Sequence, residues 1–112
     1  EISLGDKTDV ALLRDGALQQ AVIDPQEFGI VPEGLEALRG GDVAQNAEIL
    51  TQVLQGKGTQ AQQDCVALNS AYAFYLSGKC PDPHGGFLLA RDILRSGAGW
   101  DKLVAVRQFL AA

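Results

Sequence analysis

The sequence predicts an α/β chain in which one β-hairpin is followed by about four helices. Three observations carry this expectation. Residues 8–23, "TDVALLRDGALQQAVI", set Val10, Leu12, Leu18 and Val22 in partial period-two alternation around Asp15-Gly16, a strong short-range hairpin signal. From residue 42 onward the apolar residues recur at steps of three and four, the helical period. Within that region Cys65–Leu76 is apolar nearly all round, the mark of a helix enclosed on every side.

The elements follow in order. After the hairpin, "DPQEFGIVPEG" combines Asp-Pro, Phe-Gly and Pro-Glu-Gly into a turn-rich connector, and "GLEALRGG" gives one or two helical turns ending at Gly40. Gly40-Gly41-Asp42 admits two readings. Free N–H groups and the helix dipole at such a start can cradle a phosphate. Alternatively Asp42 caps the helix by accepting from first-turn N–H groups. The Asp42 carboxylate occupies the place an anion needs, which favours the cap. In the helix that follows, Val43, Ala47, Leu50 and Leu54 form the apolar face, and Gly56 stands where a capping glycine belongs. "TQAQQDCVALNSAYAFYLSGK" begins a second helix at Thr59 or Gln60 and ends it at Gly78. "PHGGFLLARDILRSG" carries Phe87, Leu88, Ile93 and Leu94 to Gly97. "GWDKLVAVRQFLAA" sets Trp100, Leu103, Val104, Val106 and Leu110 on a last amphipathic helix. A lone hairpin is marginal in water, so these layers are expected to pack on a sheet whose other strands lie elsewhere.

Length and composition bound the function. The 112 residues suffice for one small domain, and 46% hydrophobic with 21% charged residues is a globular balance. A net charge of −5 opposes nucleic-acid binding, which depends on lysine and arginine neutralising phosphates. No apolar run approaches the roughly 20 residues that span a bilayer, so no membrane role is expected. "EISLGDKTD" has neither the basic nor the apolar region of a signal peptide, and the chain contains no Met. It reads as a chain that starts inside a longer one. Cys65 and Cys80 form no C-x-x-C pair and, with His84 alone, no zinc site. Cys65 is expected as a buried free thiol and Cys80 as a loop residue, both reduced, as in a cytoplasmic protein.

Five stretches in collinear order resemble the C-terminal portion of the anthranilate phosphoribosyltransferase family. They are "EISLGDKTDVALLRDG", "DPQEFGI", "LRGGDVAQNAEILTQVLQGKG", "DCVALNSAYAFYLSGK" and "ARDILRSGAGWDKLVAV". Leu12 stands where the family usually has Glu, and Asn69 is followed by Ser70 rather than Ala. The resemblance implies that residues 1–112 are the C-terminal part of a nucleoside-phosphorylase/phosphoribosyltransferase-like large domain. The family's helical domain and its phosphate loop, a different Gly-Gly-Asp, would precede residue 1. Gly40-Gly41-Asp42 then remains a helix start. The implied activity is transfer of a 5-phosphoribosyl group from phosphoribosyl diphosphate to anthranilate, a magnesium-dependent step of tryptophan biosynthesis carried out by a homodimer. The family places an Asp-Glu pair on magnesium just before its "IS". Glu1 occupies the Glu position, and its Asp partner would be the residue before it. The isolated 112 residues are expected to be inactive.

Each candidate residue carries a plainer reading too. Glu1 is either a magnesium ligand or a frayed terminal carboxylate. Asp42 and Asn46, at i and i+4, either place a loop near the active end of the sheet or hold the Gly-Gly turn; the second is favoured. Asn69, a polar amide in an apolar helix, needs partners and is expected to clamp a loop. Tyr72, Phe74 and Tyr75 fall at helical spacing and are expected in the core rather than around a substrate. His84, beside Asp82, is expected as an exposed helix-start residue. Asp101, Lys102, Arg91 and Arg95 read as solvated helix faces. Two other readings compete with the transferase: a non-catalytic relative of the same fold that binds nucleic acid, and a helical interaction module with partner-covered faces.

Overall fold

The protein is described by a computed structural model covering residues 1–112. Strands β1 (Thr8–Arg14) and β2 (Ala17–Ile23) lead to two short 3-10 turns, Pro25–Phe28 and Leu35–Leu38. Four helices follow: α1 (Val43–Leu54), α2 (Gln60–Leu76), α3 (Pro83–Ser96) and α4 (Ala98–Ala111). The expected hairpin and four helices are all present.

Local chemistry accounts for the boundaries. The strands pair antiparallel from Thr8↔Ile23 to Arg14↔Ala17. Asp15 (φ 51°) and Gly16 (φ 77°) close them with the two positive φ angles of a type I′ turn. Asp24 caps the first 3-10 turn by accepting from Gln26 N at 2.9 Å. At the start of α1, Asp42 accepts from Gln45 N at 2.8 Å while the Gln45 side chain accepts from Asp42 N at 2.9 Å. Thr59 and Gln62 repeat this reciprocal box at α2. Asp82 caps α3 through Gly85 N at 2.8 Å. Both α1 and α2 stop in the same double closure, Lys57 N to Gln52 O at 2.8 Å and Lys79 N to Phe74 O at 2.9 Å.

The core lies between α2 and α3. Ala67, Leu68 and Ala71 of α2 meet Phe87, Ala90 and Leu94 of α3, with Val53 of α1 and the loop residues Leu4 and Ile30 closing the ends. The two helices touch backbone to backbone at Gly86. A Cβ there would sit 3.0 Å from Ala71 Cα, against the Ala71 carbonyl.

In all four helices some expected core positions differ from the observed ones. Helix α2 is not enclosed: Leu76 is 70% exposed, Val66 and Ala73 face outward, and Cys65 is only half-buried. Its uniform apolarity hides that only the α3-facing side meets another helix here. In α1 the buried residue is Val53, flanked by half-buried Ile49 and Leu54, while Val43 is 87% exposed and Ala47 and Leu50 also face out. The helix meets α4 near its C-terminal end, where Gly99 lies against Leu54, and its first turns project away. Leu88 of α3 is exposed, and α4 buries no residue fully, with Trp100 and Val104 half-buried and Leu103, Val106 and Leu110 outward.

The hairpin is a two-stranded sheet with no further strand, and only Ile23 of its residues is buried. The accessible surface, 7553 Å², exceeds the roughly 5,950 Å² of a compact monomer of this mass. The radius of gyration, 15.3 Å, likewise exceeds the roughly 13 Å of a compact domain of this length.

Gly86→Ala tests the helix contact. In an open helix this change stabilises by up to about 1 kcal/mol, because glycine is the poorer helix former. Here the added methyl meets Ala71 backbone that cannot rotate away, and overpacking of that kind costs about 1–3 kcal/mol. The variant is expected to unfold at lower urea concentration than the parent chain, and an unchanged or raised midpoint would contradict the packing.

Candidate functional site

The first seven residues form a strap that is irregular yet firmly placed. Leu4 is 2% exposed and sits in the core. Ser3 N donates to Thr8 Oγ1 at 2.9 Å, tying the strap to β1. Asn69, projecting from α2, holds the strap at Ile2: its Oδ1 accepts from Ile2 N at 2.9 Å and its Nδ2 donates to Ile2 O at 3.2 Å. A further donation from Nδ2 to Cys65 O at 3.0 Å ties the amide to its own helix. The loop clamp expected of Asn69 is therefore present, and the segment it clamps is the one that carries Glu1.

Glu1 stands at the edge of an open cleft of about 430 Å³, whose lining includes Asp6, Glu33, Leu35, Leu38 and Cys65. Sequence reasoning missed Asp6 and Glu33. The signal available was Gly5, whose missing side chain lets the two backbones approach: a Cβ there would lie 2.5 Å from Glu33 O. No three His, Cys, Asp or Glu side chains converge into a metal-binding group. Burial, and after it the Glu1 charge, pushes the Cys65 thiol above its ordinary range, so the group stays protonated at neutral pH.

The remaining candidates fall elsewhere. Asn46 accepts from Gly41 N at 2.8 Å and donates to Gly41 O at 3.1 Å, and Asp42 caps α1, so both hold the Gly-Gly turn as expected. The carboxylate fills the position a phosphate would take. Tyr72 and Phe74 are half-buried against the core. Burial, with a smaller contribution from Glu27, raises the Tyr72 phenol above its usual range. Tyr75 departs from the core expectation, because Arg14 of β1 donates to its hydroxyl and stacks 5.7 Å from its ring centre. It tethers the hairpin.

His84 is exposed at the start of α3 as expected, but it is not idle. Its ring stacks on Phe28 with centroids 4.5 Å apart and planes 10° from parallel. Its Nε2 lies 3.1 Å from Glu27 O and must carry the proton to donate there. Arg91, expected on a solvated face, is half-buried with its guanidinium 5.6 Å from the Phe87 ring centre. Arg95, Asp101 and Lys102 are exposed. Cys80 is a free, half-buried thiol in the α2–α3 loop. The buried Asp64, held by Gln60 Nε2 at 2.8 Å, was not singled out by sequence, since it lies in the polar first turns of α2.

Known proteins resemble this chain throughout its length. Residues 1–100 match the family described as "Glycosyl transferase family, a/b domain". An anthranilate phosphoribosyltransferase 2 of Nostoc sp. is 54% identical over 112 residues, covering 98% of this chain and 31% of that protein. An anthranilate phosphoribosyltransferase of Synechocystis sp. is 52% identical over 114 residues, covering 100% of this chain and 33% of its own length. The crystal structure of anthranilate phosphoribosyltransferase from Thermus thermophilus superposes with a TM-score of 0.87 at 33% identity, covering 100% of this chain and 33% of that one. The chain thus spans about a third of the length of these relatives.

The raised thiol and phenol predict an alkaline limb in stability. The folded chain keeps Cys65 and Tyr72 protonated at pH values where the unfolded chain has lost those protons. Stability is therefore flat with respect to these groups below their ordinary ionisation ranges. It falls as pH rises through those ranges toward the raised folded values. Thermal midpoints measured from pH 7 to beyond the thiol range should fall less steeply for Cys65→Ala, and identical slopes would count against the burial of the thiol.

Proposed function

The chain belongs to the family described as "Glycosyl transferase family, a/b domain", and from that premise we propose that it is part of an anthranilate phosphoribosyltransferase. Its reaction moves a 5-phosphoribosyl group from phosphoribosyl diphosphate to the anthranilate nitrogen, releasing diphosphate, in tryptophan biosynthesis. The observation that carries the reading is the collinear likeness of all 112 residues to enzymes of that name, with the Glu1 position included. In this reading residues 1–112 are the C-terminal part of the α/β phosphoribosyltransferase domain. The intact enzyme is a cytoplasmic homodimer that uses magnesium and binds neither nucleic acid nor membrane. No helix here is long and apolar enough to cross a bilayer.

Magnesium prefers oxygen ligands, keeps several waters, and is usually held through one or two carboxylates together with substrate phosphates. A carboxylate on an open cleft suits that donor chemistry, and Glu1 supplies one such ligand. The further oxygens of the site come from outside residues 1–112. When bound, the cation neutralises charge on the departing diphosphate. This chain's own contribution is placement: Leu4 anchors the strap, Asn69 holds its backbone, and Glu1 is presented at the cleft. Holding reactants in one geometry is a large part of catalysis in transfers of this kind.

The test is an assay of a transferase of the relatives' full length that carries these 112 residues. With anthranilate, phosphoribosyl diphosphate and magnesium, anthranilate fluorescence should disappear with time, and Glu1→Gln should slow the loss by at least tenfold. Residues 1–112 alone should give no turnover above a protein-free blank. Turnover by the piece alone, or none by the full-length protein, would sink the proposal.

A further inference from the structure

We propose that Asn69 is the positioning residue for Glu1: by holding both backbone polar groups of Ile2, its carboxamide fixes the place from which the Glu1 carboxylate serves the cation. The inference rests on the phosphoribosyl-transfer reading above.

The geometry is one of adjacent rigid units. Ile2 N belongs to the same planar peptide as the carbonyl and Cα of Glu1. A hydrogen bond of 2.9 Å from Ile2 N to Asn69 Oδ1 therefore fixes the N–H edge of that plane. The only free torsions left between the clamp and the carboxylate are those about Glu1 Cα and along its side chain. The second bond, from Asn69 Nδ2 to Ile2 O at 3.2 Å, prevents the strap from pivoting about the first. The third, to Cys65 O at 3.0 Å, uses the other amide hydrogen and stops the carboxamide from turning over. Every polar function of the Asn69 side chain is thus committed to the strap or to the helix beneath it.

The clamp demands a carboxamide. Leu would fill the space and provide neither bond. Asp would accept from Ile2 N and could not donate to Ile2 O. The rest of the strap is fixed independently, with Leu4 in the core and Gly5 against the Glu33 carbonyl. Loss of Asn69 therefore frees the residues nearest Glu1 first. A carboxylate ordered before the cation arrives pays less ordering entropy on binding. Partners that orient a metal's ligands typically contribute 10–100-fold in affinity.

The experiment uses the full-length transferase carrying these residues, with Mn2+ as a paramagnetic probe whose binding is followed by electron paramagnetic resonance. Asn69→Leu and Asn69→Asp are each expected to weaken Mn2+ binding by roughly tenfold or more. The half-saturating magnesium concentration for activity should rise in parallel, with KM for anthranilate unchanged. Adding Asn69→Asp to Glu1→Gln should weaken Mn2+ binding no further than Glu1→Gln alone. A lowered thermal midpoint with unchanged Mn2+ affinity would make Asn69 merely structural and overturn the inference. If Glu1→Gln itself leaves Mn2+ affinity unchanged, the metal reading falls and takes this inference with it. If Glu1→Gln weakens binding and the Asn69 variants do not, the inference alone falls. Should the variants fail to fold, amide exchange in the unmodified protein decides: Ile2 N–H should exchange far more slowly than an exposed strap amide that donates to nothing, such as that of Asp6, and exchange at its rate would overturn the clamp.

Discussion

Helices α2 and α3 approach each other closely enough for a glycine, and nothing larger, to stand between them, and the core and the strap at residues 1–7 depend on that contact. Because Gly86 lies on the Ala71 backbone, the side chains on either side of it interdigitate across a short gap, and Leu68 and Phe87 are sealed from water. With α2 pinned on that side, the flank of the helix bearing Cys65 and Asn69 is turned toward the strap at residues 1–7. The carboxamide that holds Ile2 is therefore aimed by a packing contact made elsewhere on the same helix. The chain of dependence runs from a missing Cβ, through a helix pair, to the position of one carboxylate.

The short 3-10 turn at Pro25–Phe28 is placed by a different set of forces. Asp24 caps it, and Phe28 then meets three rings: His84 stacked, Phe87 edge-on at 5.5 Å, and Tyr72 tilted at 6.3 Å. Such pairs each contribute about 0.5–1.5 kcal/mol beyond area burial. The cluster links the turn after the hairpin to α2 and α3 at once. The hairpin itself lacks such anchoring. Arg14 on Tyr75, and Lys7 beside Asp24 at 3.3 Å, are among its side-chain ties, and in each the cation is exposed while its partner is half-buried. An ion pair with an exposed cation contributes little, and a cation–π contact at an exposed site about 0.5–1 kcal/mol, so the ribbon depends mainly on Ile23 and its own ladder.

What the sequence made legible was whatever is decided locally. The Asp15-Gly16 turn, the caps at Asp42 and Thr59 and the helix ends at Gly56, Gly78 and Gly97 all depend on residues within a few positions of one another. So does the grip of Asn46 on Gly41, and each appears where the residues placed it. What was not legible is decided by neighbours distant in sequence. Val43 and Leu50 share a helical face with the right period, yet Val53 is the residue that finds the core, because α1 touches the rest only at its far end. The cleft at Glu1 needed the Asp6 and Glu33 segments to come together across 27 positions, and only Gly5 hinted at it. Asn69 was legible as a clamp but not as to what it clamped, since its partner lies 67 positions away.

The excess of surface has a definite distribution. Leu103, Val106, Phe109 and Leu110 of α4, Val43 and Leu50 of α1, and Leu13, Leu18 and Val22 of the hairpin are all large, apolar and exposed. Helix α2 adds Val66 and Leu76 on the side away from α3. A scatter of single apolar residues needs no explanation, but rows along whole helix faces do. Relatives of this chain are about three times as long, and the Thermus thermophilus structure shares its backbone fold at a TM-score of 0.87. The strap-and-clamp arrangement at Glu1 needs none of those outward faces. It is built from Leu4, Asn69, Cys65 and the Gly5–Glu33 approach, all of which close within residues 1–112. The placement of the strap beside Glu1 is thus a local property of this segment.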